Sequence, residues 1–231
     1  MIAFTPYLSW LAAALCVGAA WLAAPWLNRA ARSPGQPPHP WEPATAPALA
    51  LMGMLISLGW PLPEGWPPGN LWPLTQPLLY GWTGYLIAVV DLREMEVDLR
   101  FVTAGILLRL AWLLVFPISG NLVDMVGGML MGAGGLYWVG VMYQALRGRQ
   151  GLGDGDAAVL GLVGAFTGWQ PLPLVVSGAA GLGLGWAAWQ MARGRWESDR
   201  PIPFAPCLLA AGGLVYVWMN TQQDAPWGIP L

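Results

Sequence analysis

All ten basic side chains of the Lys/Arg type in this 231-residue chain are arginine, and nine of them fall between long apolar runs rather than inside them. A helix needs about 20 mostly apolar residues to cross a bilayer, and fewer when it is buried among other helices. That criterion marks runs at 5–27, 46–60, 73–91, 101–117, 122–146, 154–169, 171–192 and 203–220. Arg29 and Arg32 follow the first run, Arg93 and Arg100 the third, Arg147 and Arg149 the fifth, and Arg193, Arg195 and Arg200 the seventh. The alternate connectors, PLPEGWPPGN and the stretch around Ser119, contain none. Arginine marks the cytoplasmic side of a membrane protein. The alternation therefore predicts an all-α, polytopic membrane helix bundle of about eight spans with both termini extracytoplasmic, since one missed or invented span would scramble it.

Composition agrees with a chain built for lipid: 56% of the residues are hydrophobic, 10% are charged and sixteen are tryptophan, a residue favoured at membrane interfaces. Net charge is close to neutral and there is no basic tract, which argues against a nucleic-acid partner. Cys16 and Cys207 lie in separate apolar runs without metal-ligand spacing, so they read as packing residues and no metal is expected. The run from Thr5 to Leu27 lacks a basic segment ahead of it and reads as a retained span rather than a cleaved signal. Residues 1–70 are expected to form an N-terminal pair of spans around a proline-rich cytoplasmic linker at 31–47, with 71–222 as the core and 223–231 as a tail. His39, inside that linker, reads as a solvated loop residue.

Two aspartates stand at the ends of apolar runs. Asp91 closes WTGYLIAVVD, and Asp154 follows GLG just ahead of AAVLGLVGAFTGW. The arginine alternation puts both at the cytoplasmic face. An ionised carboxylate near hydrocarbon costs several kcal/mol unless it is protonated, paired or hydrated, so two at one depth point to chemistry that needs carboxyl groups there. Peptide hydrolysis by two carboxyls requires one to take a proton from water and the other to give one to the scissile carbonyl, with a single proton shared between them. Asp154 precedes a helix, where the partial positive end favours a carboxylate, whereas Asp91 ends one; Asp154 is thus expected to be the more readily ionised partner. Gly151 and Gly153 let backbone pass close to a substrate. The glycine clusters at 127–135 and 178–185 read as close helix packing through small faces. Arg109, in the middle of a run, is expensive there unless paired, so an internal partner, Asp124 or a watery cavity near the pair, is favoured over snorkelling to the interface.

With these residues in place the chain resembles the type IV prepilin peptidases, a family of membrane aspartyl proteases of the GxGD type. The resemblance covers roughly residues 80–220 and rests on VVDLREMEV, GLGDGDAAVLGLVGAFTGWQPLPLVV and RPIPFAPCLLAAGGL. It implies that Asp91 and Asp154 are the catalytic pair, that the substrates are prepilins or pseudopilins, and that the chain lies in the inner (cytoplasmic) membrane. No cofactor is implied. Three departures stand out. Asp156 occupies the place of a common lysine, the first motif ends in Val97, Asp98 and Leu99 where a proline followed by Asp or Asn is usual, and the 31–47 linker lacks the cysteine pairs of members that also methylate the new pilin N-terminus. Methylation is accordingly not expected. The rival readings are a catalytically degenerate homologue retained as a scaffold and an ion-coupled transporter. A transporter predicts internal repeats and midplane carboxylates, neither of which this sequence offers.

Overall fold

The computed structural model describes residue 29 and residues 75–115, 121–148, 153–194 and 203–222. The expected spans at 5–27 and 46–60, the linker with His39, Cys16 and the tail lie outside the described residues. Among the described residues from 75 on, six helices follow one another: α1 Thr75–Glu94, α2 Leu99–Val115, α3 Leu122–Arg147, α4 Asp154–Thr167, α5 Leu172–Ala192 and α6 Ala205–Gln222. Each coincides with one of the last six apolar runs to within a few residues, and the described residues contain no strand. The chain divides into two compact units. Residues 29, 75–82 and 220–222 are the described parts of one; residues 83–219, which hold every side chain discussed below, belong to the other.

Local chemistry sets the helix ends. Asn121 caps α3 by accepting from the Val123 N–H at 2.9 Å, and Gly148 closes it in the left-handed conformation at φ 68°. α1 stops one residue before Met95, which takes φ 54°. After that bend Asp98 opens α2, its Oδ1 accepting from the Arg100 N–H at 2.9 Å, while Arg100 Nη2 donates to Oδ2 at 2.7 Å. Asp98, whose part in the altered first motif is otherwise unexplained, is therefore a helix cap. The Arg100 guanidinium hydrogen-bonded to it holds its carboxyl below the usual carboxylate range.

α4 is the centre of the second unit. Ten of its fourteen residues are buried, from Ala157 to Thr167. It crosses α3 with no side chains between the two backbones. A Cβ on Gly128 would overlap the Gly164 carbonyl, one on Gly132 would lie 2.5 Å from the Leu160 oxygen, and one on Gly161 would lie 2.9 Å from Ala133 Cβ. The glycine cluster of the fifth apolar run is thus a helix-packing face, as small residues at four-residue spacing suggest. Leu113, Met125 and Ala165 form a core cluster joining α2, α3 and α4.

Arg109 does not pair with Asp124. Asp124 is exposed in the first turn of α3. Arg109 is only 5% exposed; its Nε donates to the Ala165 carbonyl at 3.4 Å, its guanidinium lies 5.6 Å from the centre of the Phe166 ring, and it interacts electrostatically with Tyr216 of α6. A backbone carbonyl and the Phe166 ring face stand where a carboxylate is expected, and Nη1 is buried with no hydrogen-bond partner among the described residues. α3 and α5 are long and apolar enough to cross a membrane. Large apolar side chains along them, such as Leu130, Trp138, Leu146 and Leu184, are uncovered.

Candidate active site

Three helix ends meet at the candidate site. α1 brings Asp91 in its last turn, α4 brings Asp156 in its first, and α6 brings Ala205 and Cys207 in its first. Ala205 heads a helix, so its N–H has no intrahelical acceptor. Asp91 supplies one: its carboxylate accepts from the Ala205 backbone N–H. PIPFAP thereby acquires a physical meaning. Pro206, at the second helical position, has no N–H to satisfy and a φ suited to the turn, which leaves the Ala205 donor for Asp91.

Asp91 is 5% exposed, and its Oδ2 is buried with no hydrogen-bond partner among the described residues. Asp156 interacts with it electrostatically and accepts from the backbone N–H of Gly153, the residue that caps α4. A carboxylate at the third helical position that reaches back to the capping residue satisfies one of the free amides of the helix start. Cys207 interacts electrostatically with both carboxylates and donates weakly to the Pro203 carbonyl at 3.9 Å, so this thiol lies beside the acids rather than in a purely apolar core.

The two carboxylates of α4 go different ways. Residues two apart on a helix diverge by about 200°, so only one of them can face Asp91. Asp154 is exposed and lines a separate cleft, formed with Leu136, Tyr137, Val141 and Gln144 of α3 together with Gly153 and Ala157. Of the two α4 carboxylates, Asp156 is thus the one with an electrostatic interaction with Asp91, and Asp154 is the one that lines the cleft. The signal for Asp156 is the overlap in GLGDGD, which contains GLGD at 151–154 and GDGD at 153–156. Choosing between them depends on which way the first turn of α4 faces.

Gly155 sets the approach of the α1–α2 turn. A Cβ there would lie 2.6 Å from Val97 Cβ, so only glycine allows that turn to rest on the start of α4. Residues 78–188 match the model of the type IV leader peptidase family. This stretch belongs to that family.

Relatives carry the same likeness further. The chain is 31% identical over 156 residues to a prepilin leader peptidase/N-methyltransferase of Stutzerimonas stutzeri, covering 65% of this chain and 52% of that protein. It is 30% identical to one of Pseudomonas aeruginosa, covering 65% and 51%. With one of Xanthomonas campestris pv. campestris it shares 32% identity over 187 residues, covering 74% and 63%. The chain thus spans about half the length of the first two relatives. No solved structure matches it. The leader peptidase match takes in α1 nearly whole and runs through most of α5, so Asp91 and both carboxylates of α4 fall inside it.

Proposed function

We propose that this chain is an aspartyl endopeptidase of the cytoplasmic membrane that removes the leader peptide from type IV prepilins or pseudopilins at the cytoplasmic face. The observation that carries this reading is the meeting of a buried Asp91 with Asp156 at converging helix ends inside the leader peptidase match. Sequence alone pairs Asp91 with Asp154. The electrostatic interaction of Asp91 with Asp156, and the exposure of Asp154 in a separate cleft, support Asp156 as the working partner instead.

Two carboxyls facing one another hold one proton between them, because both cannot ionise cheaply at short range. The ionised member takes a proton from water as the oxygen attacks the scissile carbonyl, and the protonated member donates to the carbonyl oxygen. One carboxyl oxygen of Asp91 is left without a hydrogen-bond partner among the described residues, while the Ala205 N–H and the Gly153 N–H hold the two groups in orientation. Of the relatives' two named activities, leader cleavage is the one we assign.

We place the chain in the membrane as a multi-pass protein of about eight spans with both termini outside. The arginine alternation, the length of α3 and α5 and their uncovered apolar side chains support that placement. α4, at fourteen residues, is about 21 Å long, less than the roughly 30 Å of hydrocarbon. Enclosed by its neighbours, it need not reach both interfaces, and its carboxylate end then opens to water from one side.

The test is co-expression with a candidate prepilin, reading leader removal by the mobility shift of the product. Wild type should cleave; Asp91→Asn and Asp156→Asn should not. Cleavage that survives both substitutions would sink the mechanism.

A further inference from the structure

The cleft beside Asp154 has no part in the carboxylate pair. It encloses about 170 Å³ between the C-terminal half of α3 and the start of α4. At about 30 Å³ per water, that is room for roughly five or six waters, or for one long side chain. Among the described residues that line it, Asp154 is the one that is charged, and it is exposed. Gln144 adds an amide oxygen, Tyr137 an aromatic face, and Leu136 and Val141 apolar wall.

We propose that this cleft is a specificity subsite for a lysine or arginine side chain of the substrate, held by Asp154. The proposal rests on the reading of Asp91 and Asp156 as the cleaving pair. Four methylenes of a lysine, or three of an arginine, lie against Leu136 and Val141, the cationic head meets Asp154 and the Gln144 oxygen, and the Tyr137 ring adds a cation–π contact. The helix start does not reverse this preference. Its partial charge is about +0.5, less than the full negative charge of Asp154, and the Gly153 N–H already serves Asp156.

Gly153 belongs to both sites, lining the cleft while its N–H holds Asp156. Asp154 and Asp156 are on one helical turn, with about 5.5 Å between their backbones. An extended peptide advances by about 3.4 Å per residue. The cation therefore falls within about three residues of the scissile bond, which makes the cleft a selector of where the enzyme cuts. An ammonium group also occurs on lipid headgroups; we assign the cleft to the peptide, because it opens at the residue that holds a member of the cleaving pair.

The test uses the full chain and a prepilin series in which a single lysine is walked through the leader, each position also made as glutamate. At one position near the scissile bond, lysine should give at least a ten-fold lower KM than glutamate. Asp154→Asn should remove that difference, and Asp154→Lys should invert it, with kcat moving less than about three-fold; ten-fold is the scale of one charge-assisted contact of about 1.4 kcal/mol. If the Asp154 variants do not accumulate, Gln144→Leu should raise KM at the same position by a smaller factor. A lysine preference that is absent, spread evenly over all positions, or unchanged in Asp154→Asn overturns the subsite, and a KM that changes in the variants regardless of substrate charge assigns the cleft to lipid instead. Should Asp91→Asn abolish cleavage in the same experiment, the peptidase reading stands when the subsite falls. Failure of the wild type to cut any prepilin removes both.

Discussion

The two ends of α4 are built on opposite principles. From Leu160 to Gly164 the helix meets α3 through bare backbone, with no room for even a methyl group on Gly128, and Arg109 spans the same end through a carbonyl and a ring. At Asp154 and Asp156 the helix offers charge, a buried unsatisfied oxygen on the facing Asp91, and contacts made mostly by single backbone amides. Rigidity at one end permits the other to hold groups that add no stability of their own. A carboxylate pair is expensive to bury. It persists where the surrounding helices leave it no way to move apart.

Substitutions that act at only one end break the comparison. The largest effect belongs to the packed end: Gly128→Leu or Gly164→Leu drives a side chain into backbone, should exceed the usual 1–3 kcal/mol cost of overpacking, and should abolish folded protein in detergent, read by thermal melting or protease resistance. Gly155→Ala acts at the other end. It should leave melting within about 1 kcal/mol yet lower kcat by roughly 100-fold, the scale of a 1 Å displacement, because the turn at Val97 must lift from α4. Ala205→Pro is gentler still. Proline is welcome at a first helical position, so α6 should form normally, but the donor to Asp91 is gone and kcat should fall about ten-fold.

The smallest effect lies at Asp98, just outside both regions. Asp98→Ala removes the α2 cap and should cost about 1 kcal/mol of stability with cleavage retained. Its carboxyl is held below the usual range in the folded chain, so its contribution is complete above the unfolded pKa of about 3.9 and is lost as pH falls through the folded value. Melting of the wild type and of Asp98→Ala should therefore converge in acid. A gap that widens on acidification would contradict the cap.

How far each end is legible in sequence follows from how local its physics is. The six described helices follow from apolar length, the glycine face of α3 from four-residue spacing, and Asp91 from its place at the end of an apolar run. The Asp98 cap is equally local, an aspartate directly ahead of LRFVTAGILL, and could have been read from that position. Arg109 differs because its acceptor is 56 residues away and is a backbone carbonyl, a group every residue carries, whereas charge matching looks for a carboxylate. GLGDGD is the instructive case. Both of its aspartates satisfy the same short motif, and the choice depends on helix rotation, which is fixed by the α3 crossing farther along α4 and by Gly155 against Val97.

The pairing of Asp91 with Asp156 is tested most directly by purifying Asp154→Asn and Asp156→Asn side by side and measuring kcat for prepilin cleavage at saturating substrate. The structure predicts that Asp156→Asn loses at least about 1,000-fold in kcat with unchanged melting, while Asp154→Asn keeps its turnover to within a few-fold and shows its defect in KM. The reverse result, turnover lost in Asp154→Asn and kept in Asp156→Asn, would contradict it.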